Sequence, residues 1–286
     1  MNRSIHQASD QTAGITTGQK QDFATDGVVL LRGLFADWVE PLRKGTEALM
    51  QAPSPLERSY TPKDGTARFF QDLCNWQRIA PFRDFVFNSP AAVVAAALMQ
   101  SATARFFHDH VLVKEPGTSI ATPWHQDAPY YCVDAPMSIS FWIPLDSVPL
   151  ETTLRCVAGS HRWGQMMRPK RFDGTYLYEN DTMMEMPDID ANPEHYTIRA
   201  WAVEPGDAIA FDFRTVHSAA ANTGQISRRR AFSARWVGDD AVFHDRGGKG
   251  SPPFAHLRLR TGDAVEGDDF PLVYNQHAYP EEDSRS

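Results

Sequence analysis

Between Phe106 and Leu145 the chain reads FFHDHVLVKEPGTSIATPWHQDAPYYCVDAPMSISFWIPL. Two runs within it, FFHDHVLVK (106–114) and SISFWIPL (138–145), are short, rich in β-branched and aromatic residues, and bounded by turn formers such as EPG and DAP, so both predict strands. The same pattern recurs downstream in LRCVAGS (154–160), IRAWAVE (198–204), AIAFDF (208–213) and RAFSARW (230–236), with VPL and EPGD as punctuation. Many short strands separated in this way predict a β-sandwich or barrel. Upstream, GVVLLRGLF (27–35) predicts one more buried strand. A helix follows, with Asp37 as its expected cap and Trp38, Leu42, Gly45 and Leu49 at a period near 3.6. Pro41 fits that helix only in the first turn, where its missing N–H costs no intrahelical bond. Ser89-Pro90 starts a second helix, and the AAVVAAALM behind it is apolar all round, so it is expected to pack on several sides. Helices first and strands later predict an α+β, mainly β, fold.

The chain has 286 residues, 28 of them basic and 36 acidic, a formal charge of −8 that gives no electrostatic basis for binding nucleic acid. A hydrophobic share of 42% with 22% charged residues is that of an ordinary globular domain rather than a disordered or fibrous chain. No apolar run approaches the ~18 residues of a membrane span. Residues 1–22 are polar and lack the apolar region of a secretory signal. They are expected to form a flexible arm ahead of a single domain over 23–286. Residues 164–197 have weak periodicity and are too long for a simple connection, so they are expected to form an insert or lid. Cys74, Cys132 and Cys156 are too few and too far apart for a disulfide framework or a zinc knuckle, and read as buried free thiols of a cytoplasmic protein.

Within TPWHQDAPYY (122–131), His125 and Asp127 are two residues apart, and on an extended strand such positions share a face. An imidazole nitrogen and a carboxylate oxygen can therefore converge on one metal ion. His217, in FDFRTVHSAAAN just past a predicted strand, is the natural third ligand. Two neutral imidazoles and one carboxylate on one face of an octahedron leave three positions open, the arrangement of non-haem Fe(II) oxygenases. Such a site needs a fixed cation for its acidic cosubstrate, and arginine holds a carboxylate in a bidentate fork. ISRRRAFSARW follows His217. On a strand, Arg229, Ala231, Ser233 and Arg235 share one face, with room beside Arg229 for a bound acid. Arg230, Phe232, Ala234 and Trp236 share the other.

KEPGTSIATPWHQDAPYY, SISFWIPLDSV, VAGSHRWG, PGDAIAFDFRTVHSAAAN and RRRAFSARW occur in an order and at distances that resemble the phytanoyl-CoA dioxygenase family of iron- and 2-oxoglutarate-dependent oxygenases. The matching stretches cover well under half the chain. The resemblance implies a double-stranded β-helix, or cupin-like jelly roll, with N-terminal helices packed outside it. It implies His125, Asp127 and His217 as iron ligands and Fe(II), 2-oxoglutarate and O2 as cofactor and cosubstrates. The implied activity is hydroxylation of a small molecule, with release of succinate and CO2. It also implies an arginine for the distal carboxylate of 2-oxoglutarate. Counting from His217 selects Arg228, whereas the Ala-Phe-Ser that follows and the small neighbours select Arg229, which is preferred. Gln126, Trp142 and Thr122 match positions that contact the cosubstrate in relatives. Two departures touch loop shape: Ala158 precedes Gly159-Ser160-His161 where relatives carry proline, and VPLETTLRCVAGS lacks their glycine-containing turn. Asp127 itself argues against a halogenating variant.

Two other readings compete. His108, His110 and Glu115 form a cupin-like metal motif, although no second cupin motif follows near Pro205-Gly206. A non-catalytic jelly-roll binding module is the other. Lys114, on the same strand face as His108 and His110, is a further candidate contact to cosubstrate or substrate. Phe69, Phe70, Gln71, Asn75, Trp76, Tyr130, Tyr131, Arg168 and Arg171 are candidates for lining a substrate pocket. Neither the substrate nor the oligomeric state follows from these residues.

Overall fold

In a computed structural model, residues 14–63, 65–171, 174–179, 182–224, 226–247 and 250–278 are described. The chain runs through α1 (Thr17–Asp26), β1 (Val28–Leu31), α2 (Val39–Gln51), β2 (Phe69–Leu73), α3 (Ala80–Asn88), α4 (Ala91–Met99) and β3 (Thr103–Lys114). It continues through β4 (Thr122–His125), β5 (Val133–Asp134), β6 (Ser138–Pro144), β7 (Leu154–Val157) and β8 (Ile198–Ala200). The last strands are β9 (Ala208–Phe211), β10 (His217–Ala219), β11 (Arg229–Val237), β12 (Val242–Phe243) and β13 (Leu272–Asn275).

The larger sheet has the order β1-β9-β6-β11-β3-β13, and β2 joins the same edge of the long β3 at its other end. The smaller sheet has the order β4-β10-β7-β8. Every pairing is antiparallel. Between the two sheets lie Val28, Trp142, Leu154, Cys156, Ile209 and Phe211, all buried. The outer face of the larger sheet carries Phe106, Phe141, Phe232 and Trp236, and the four helices cover it. This is the expected double-stranded β-helix with helices packed outside. No single described helix is long and apolar enough to cross a membrane.

Local sequence explains the helices, with two shifts. The stripe on α2 buries Leu42, Gly45 and Leu49, while Trp38 meets Phe85 edge-on at 5.5 Å. Pro41 falls in the first turn of α2 as required, but Asp37 does not cap it; a 3-10 turn over Ala36–Trp38 leads in instead. At α4 the cap moves by one residue: Pro90 is the N-cap and the Ser89 hydroxyl accepts from Ala91 N–H at 3.3 Å. Helix α1 begins inside the stretch expected to be a loose arm, because Thr16 and Gln19 form a reciprocal capping box. Residues 1–13 of that arm lie outside the described residues. All three cysteines are free.

Gly206, in the EPGD turn, has φ +92, and an added Cβ would lie 2.6 Å from Ala36 Cα. It lets Phe35 N–H donate to Gly206 O at 2.8 Å, tying the turn before β9 to the start of the helical layer. Gly206→Ala is expected to destabilise the fold by about 2 kcal/mol, combining strain at positive φ with a backbone clash, as read from urea unfolding midpoints.

Candidate active site

His125 ends β4 and His217 begins β10, and the two are direct cross-strand partners, so their rings lie 4.2 Å apart between centroids. Each imidazole is oriented by its own strand. His125 Nδ1 is 2.8 Å from Pro123 O, and His217 Nδ1 is 2.9 Å from Thr215 O. With Nδ1 committed to a carbonyl, Nε2 is the free lone-pair donor on both rings. Asp127 Oδ1 lies 3.7 Å from His125 Nε2 and 3.9 Å from His217 Nε2. Among the described residues these three form the one group of His, Cys, Asp or Glu able to hold a metal ion, with donor atoms all within 4.8 Å of one another.

The convergence does not come from a continued strand. Asp127 has helical dihedrals (φ −74, ψ −41) and opens a 3-10 turn, so the chain bends just past β4 and swings the carboxylate under both rings. The other oxygen, Oδ2, is held by Ser140 Oγ at 3.2 Å and Arg235 Nε at 3.3 Å. Burial alone would raise the pKa of Asp127, but the Arg235 guanidinium against it outweighs burial and holds the carboxyl well below the usual range. His217 is pushed down to about 3 by burial and by His125, so it stays neutral and able to ligate. Ser160 fixes the approach to β10: its hydroxyl accepts from Val216 N–H at 2.8 Å and donates to Val157 O at 2.7 Å.

The site opens into a cavity of about 400 Å3 between the sheets. Arg229, Ala231, Ser233 and Arg235 all line it, as strand alternation predicts, while Arg230 turns away to Asp146 and Glu47. At one end sit Arg229 and its cross-strand partner Lys114. Arg229 donates through Nη1 to Thr152 O and through Nη2 to Ala220 O at 3.0 Å. Lys114 Nζ donates to Ala220 O at 2.9 Å. Burial lowers Arg229 to about 10, and burial with Arg229 lowers Lys114 to about 6. Neither side chain has an acidic partner among the described residues, so the pair forms a site for an anion. Thr122 and Trp142 line the same cavity.

Other candidates lie elsewhere. Arg228 is outside the cavity, paired with Glu115 at 2.8 Å and Glu47 at 3.1 Å. That pairing takes the Glu of the cupin-like motif away from His108 and His110, so the alternative metal site does not form. Gln126 points away from the cavity. Its amide donates to Arg214 O at 2.8 Å and accepts from Met167 N–H at 2.9 Å, which ties the ligand turn to the 164–197 segment. Phe69, Gln71, Tyr130, Tyr131 and Arg171 line the cavity, whereas Phe70, Asn75, Trp76 and Arg168 do not. Lys170, Arg171 and Leu177 of the 164–197 segment form part of the wall. Spacing gave no role to Ser140 or to Arg235, although the inward face of β11 already contained Arg235.

The sequence model of the phytanoyl-CoA dioxygenase family matches residues 23–231, most of the chain. The chain belongs to the phytanoyl-CoA dioxygenase family. This makes it an enzyme of the iron- and 2-oxoglutarate-dependent oxygenase superfamily. No curated protein matches its sequence. Among solved structures it is similar to the α-ketoglutarate-dependent carbocyclase SnoK from nogalamycin biosynthesis, at 23% identity and a TM-score of 0.72, covering 93% of this chain and 100% of that one. The epimerase SnoN in complex with Fe3+, α-ketoglutarate and nogalamycin RO matches at 22% identity and a TM-score of 0.69, covering 90% and 97%. EctD from S. alaskensis with 2-oxoglutarate and 5-hydroxyectoine matches at 19% identity and a TM-score of 0.66, covering 91% and 89%. At these identities the likeness shows that this family member has their fold.

Proposed function

We propose that the protein hydroxylates a small-molecule substrate, using iron(II) held by His125, Asp127 and His217 and 2-oxoglutarate held through its distal carboxylate by Arg229. The convergence of two Nε2 atoms and one carboxylate oxygen is the observation that carries this reading. The donor set fits the group: two neutral imidazoles and one anionic oxygen are the ligands of a facial iron site with open positions. Iron(II) with 2-oxoglutarate and dioxygen supplies an oxidant able to break an unactivated C–H bond, with release of succinate and CO2.

The chain's own residues orient and enclose. Ser140 and Arg235 hold Asp127 by Oδ2 and leave Oδ1 for the metal. Arg229, with Lys114 beside it, receives the distal carboxylate at the closed end, and a bound anion restores full charge to both cations. Trp142 and Thr122 form walls beside that end. Lys170, Arg171 and Leu177 of the 164–197 segment act as a cover that keeps water from the reacting centre, within one domain that takes in α1 from Thr17. A binding module without chemistry has no need for three ligand side chains bracketed in this way.

Anaerobic titration tests the reading. Iron(II) and 2-oxoglutarate together are expected to give a weak visible charge-transfer band that neither gives alone and that His125→Ala abolishes. His110→Ala is expected to keep it. A band lost in His110→Ala and kept in His125→Ala refutes the assignment.

A further inference from the structure

The cavity has a second polar corner that the proposed iron and 2-oxoglutarate contacts leave unused. Gln71 of β2 and Arg235 of β11 are 4% and 5% exposed. Gln71 Nε2, Arg235 Nη1 and His110 Nε2 are all buried, and none has a hydrogen-bond partner. All three side chains line the cavity. They share one face on three adjacent strands: Arg235 lies opposite His108 and Gln71 opposite Leu112, so the three run diagonally across the cavity wall with His110 between the other two. Buried polar atoms without partners are costly and cluster where a ligand supplies the missing acceptor. Burial and Arg235 hold His110 near 3, so it is neutral and carries one ring N–H.

Charge points the same way. On the iron and 2-oxoglutarate reading, on which this inference rests, iron(II), Asp127 and the 2-oxoglutarate dianion sum to minus one. Arg229, Lys114 and Arg235 bring the site to plus two. At the mouth, Lys170 is neutralised by Glu185 at 3.2 Å. Among the described residues the Arg171 side chain bonds only to the Thr175 hydroxyl and the Tyr176 carbonyl, and Arg58, across the opening, has no acidic partner. The surplus is positive, and a buried surplus calls for a counter-charge.

We propose that the substrate is a small carboxylic acid with an apolar body, its carboxylate received by Gln71, His110 and Arg235 after entry past Arg58 and Arg171. Leu73 and Leu177 supply apolar wall for the rest of the molecule. This places the acid beside Asp127, which Arg235 also contacts, and so brings the carbons next to the carboxylate near the metal ligands.

Calorimetric titration of the anaerobic protein loaded with iron(II) and 2-oxoglutarate tests this, with benzoate, 3-phenylpropanoate and octanoate as probes, each against its primary amide. At least one acid is expected to bind about tenfold more tightly than its amide. Gln71→Leu is expected to remove most of that preference while leaving amide binding and raising or preserving the melting temperature, because an unpartnered buried amide is removed. A purely structural Gln71 would lower the melting temperature. Arg58→Gln, at the exposed mouth, is expected to weaken acid binding about threefold with stability unchanged. Amides that bind as well as acids, no binding of any acid up to about 10 mM, or full acid preference in Gln71→Leu overturns the proposal. Absence of the visible band refutes the iron reading separately, and the acid-to-amide ratio on the same sample still decides the corner.

Discussion

Asp127→Ala is expected to lower 2-oxoglutarate turnover by on the order of 10^4-fold and to abolish the iron-dependent visible band. The substitution removes the one anionic donor, leaving two imidazoles that lie 4.2 Å apart between ring centroids. It also strands Arg235, a guanidinium that is 5% exposed and whose carboxylate partner in the fold is Asp127. Removing one partner of a buried pair typically costs about 3–5 kcal/mol, so the variant is also expected to melt earlier. The two effects separate by measurement: succinate release and the visible band report the metal site, and urea unfolding reports the stranded guanidinium. A variant that keeps more than about a tenth of wild-type turnover sinks the ligand assignment.

Arg229→Leu is expected to raise the KM for 2-oxoglutarate by about 10^2- to 10^3-fold, with a smaller change in turnover at saturation. Arg229 lies in the cavity wall, and among the described residues its side-chain hydrogen bonds run only to backbone carbonyls. A dicarboxylate that loses this partner must be buried against Lys114 alone. Arg228→Leu is the internal control. Its side chain is committed to Glu47 and Glu115 outside the cavity, so the KM is expected to stay within about twofold. If the two variants behave alike, or Arg228→Leu has the larger effect, the cosubstrate assignment fails.

Alternation made much of this architecture legible. Strand β11 needed nothing more: its odd-numbered positions from Arg229 to Arg235 line the cavity and its even-numbered apolar ones pack under the helices. The same argument separates Arg229, in the cavity wall, from Arg228, which counting from His217 selects and which lies outside it. Strand β2 was missed because all five of its residues are buried, Gln71 and Asp72 included, so no alternation marks FFQDL. Strand β13 is a short edge strand whose partner, residues 103–105, is remote in sequence. The His-x-Asp pair was found for an incomplete reason. Its residues do converge, but through a turn after the strand rather than along it. Gln126 and Glu115 show the limit most clearly: sequence adjacency to a site does not encode side-chain direction, and both point to partners elsewhere.

Gln126 has a larger consequence. It stands between two ligand residues, yet its amide accepts from Met167 N–H and donates to Gln165 O at 3.4 Å, so it pins the root of the 164–197 segment to the bend that aims Asp127. The segment is therefore not an interchangeable cap. A graft that exchanged it for a foreign loop, in an effort to change what enters the cavity, would slacken the very turn that shapes the catalytic triangle. Retailoring selectivity in this scaffold should begin downstream of Met167, leaving that pin in place.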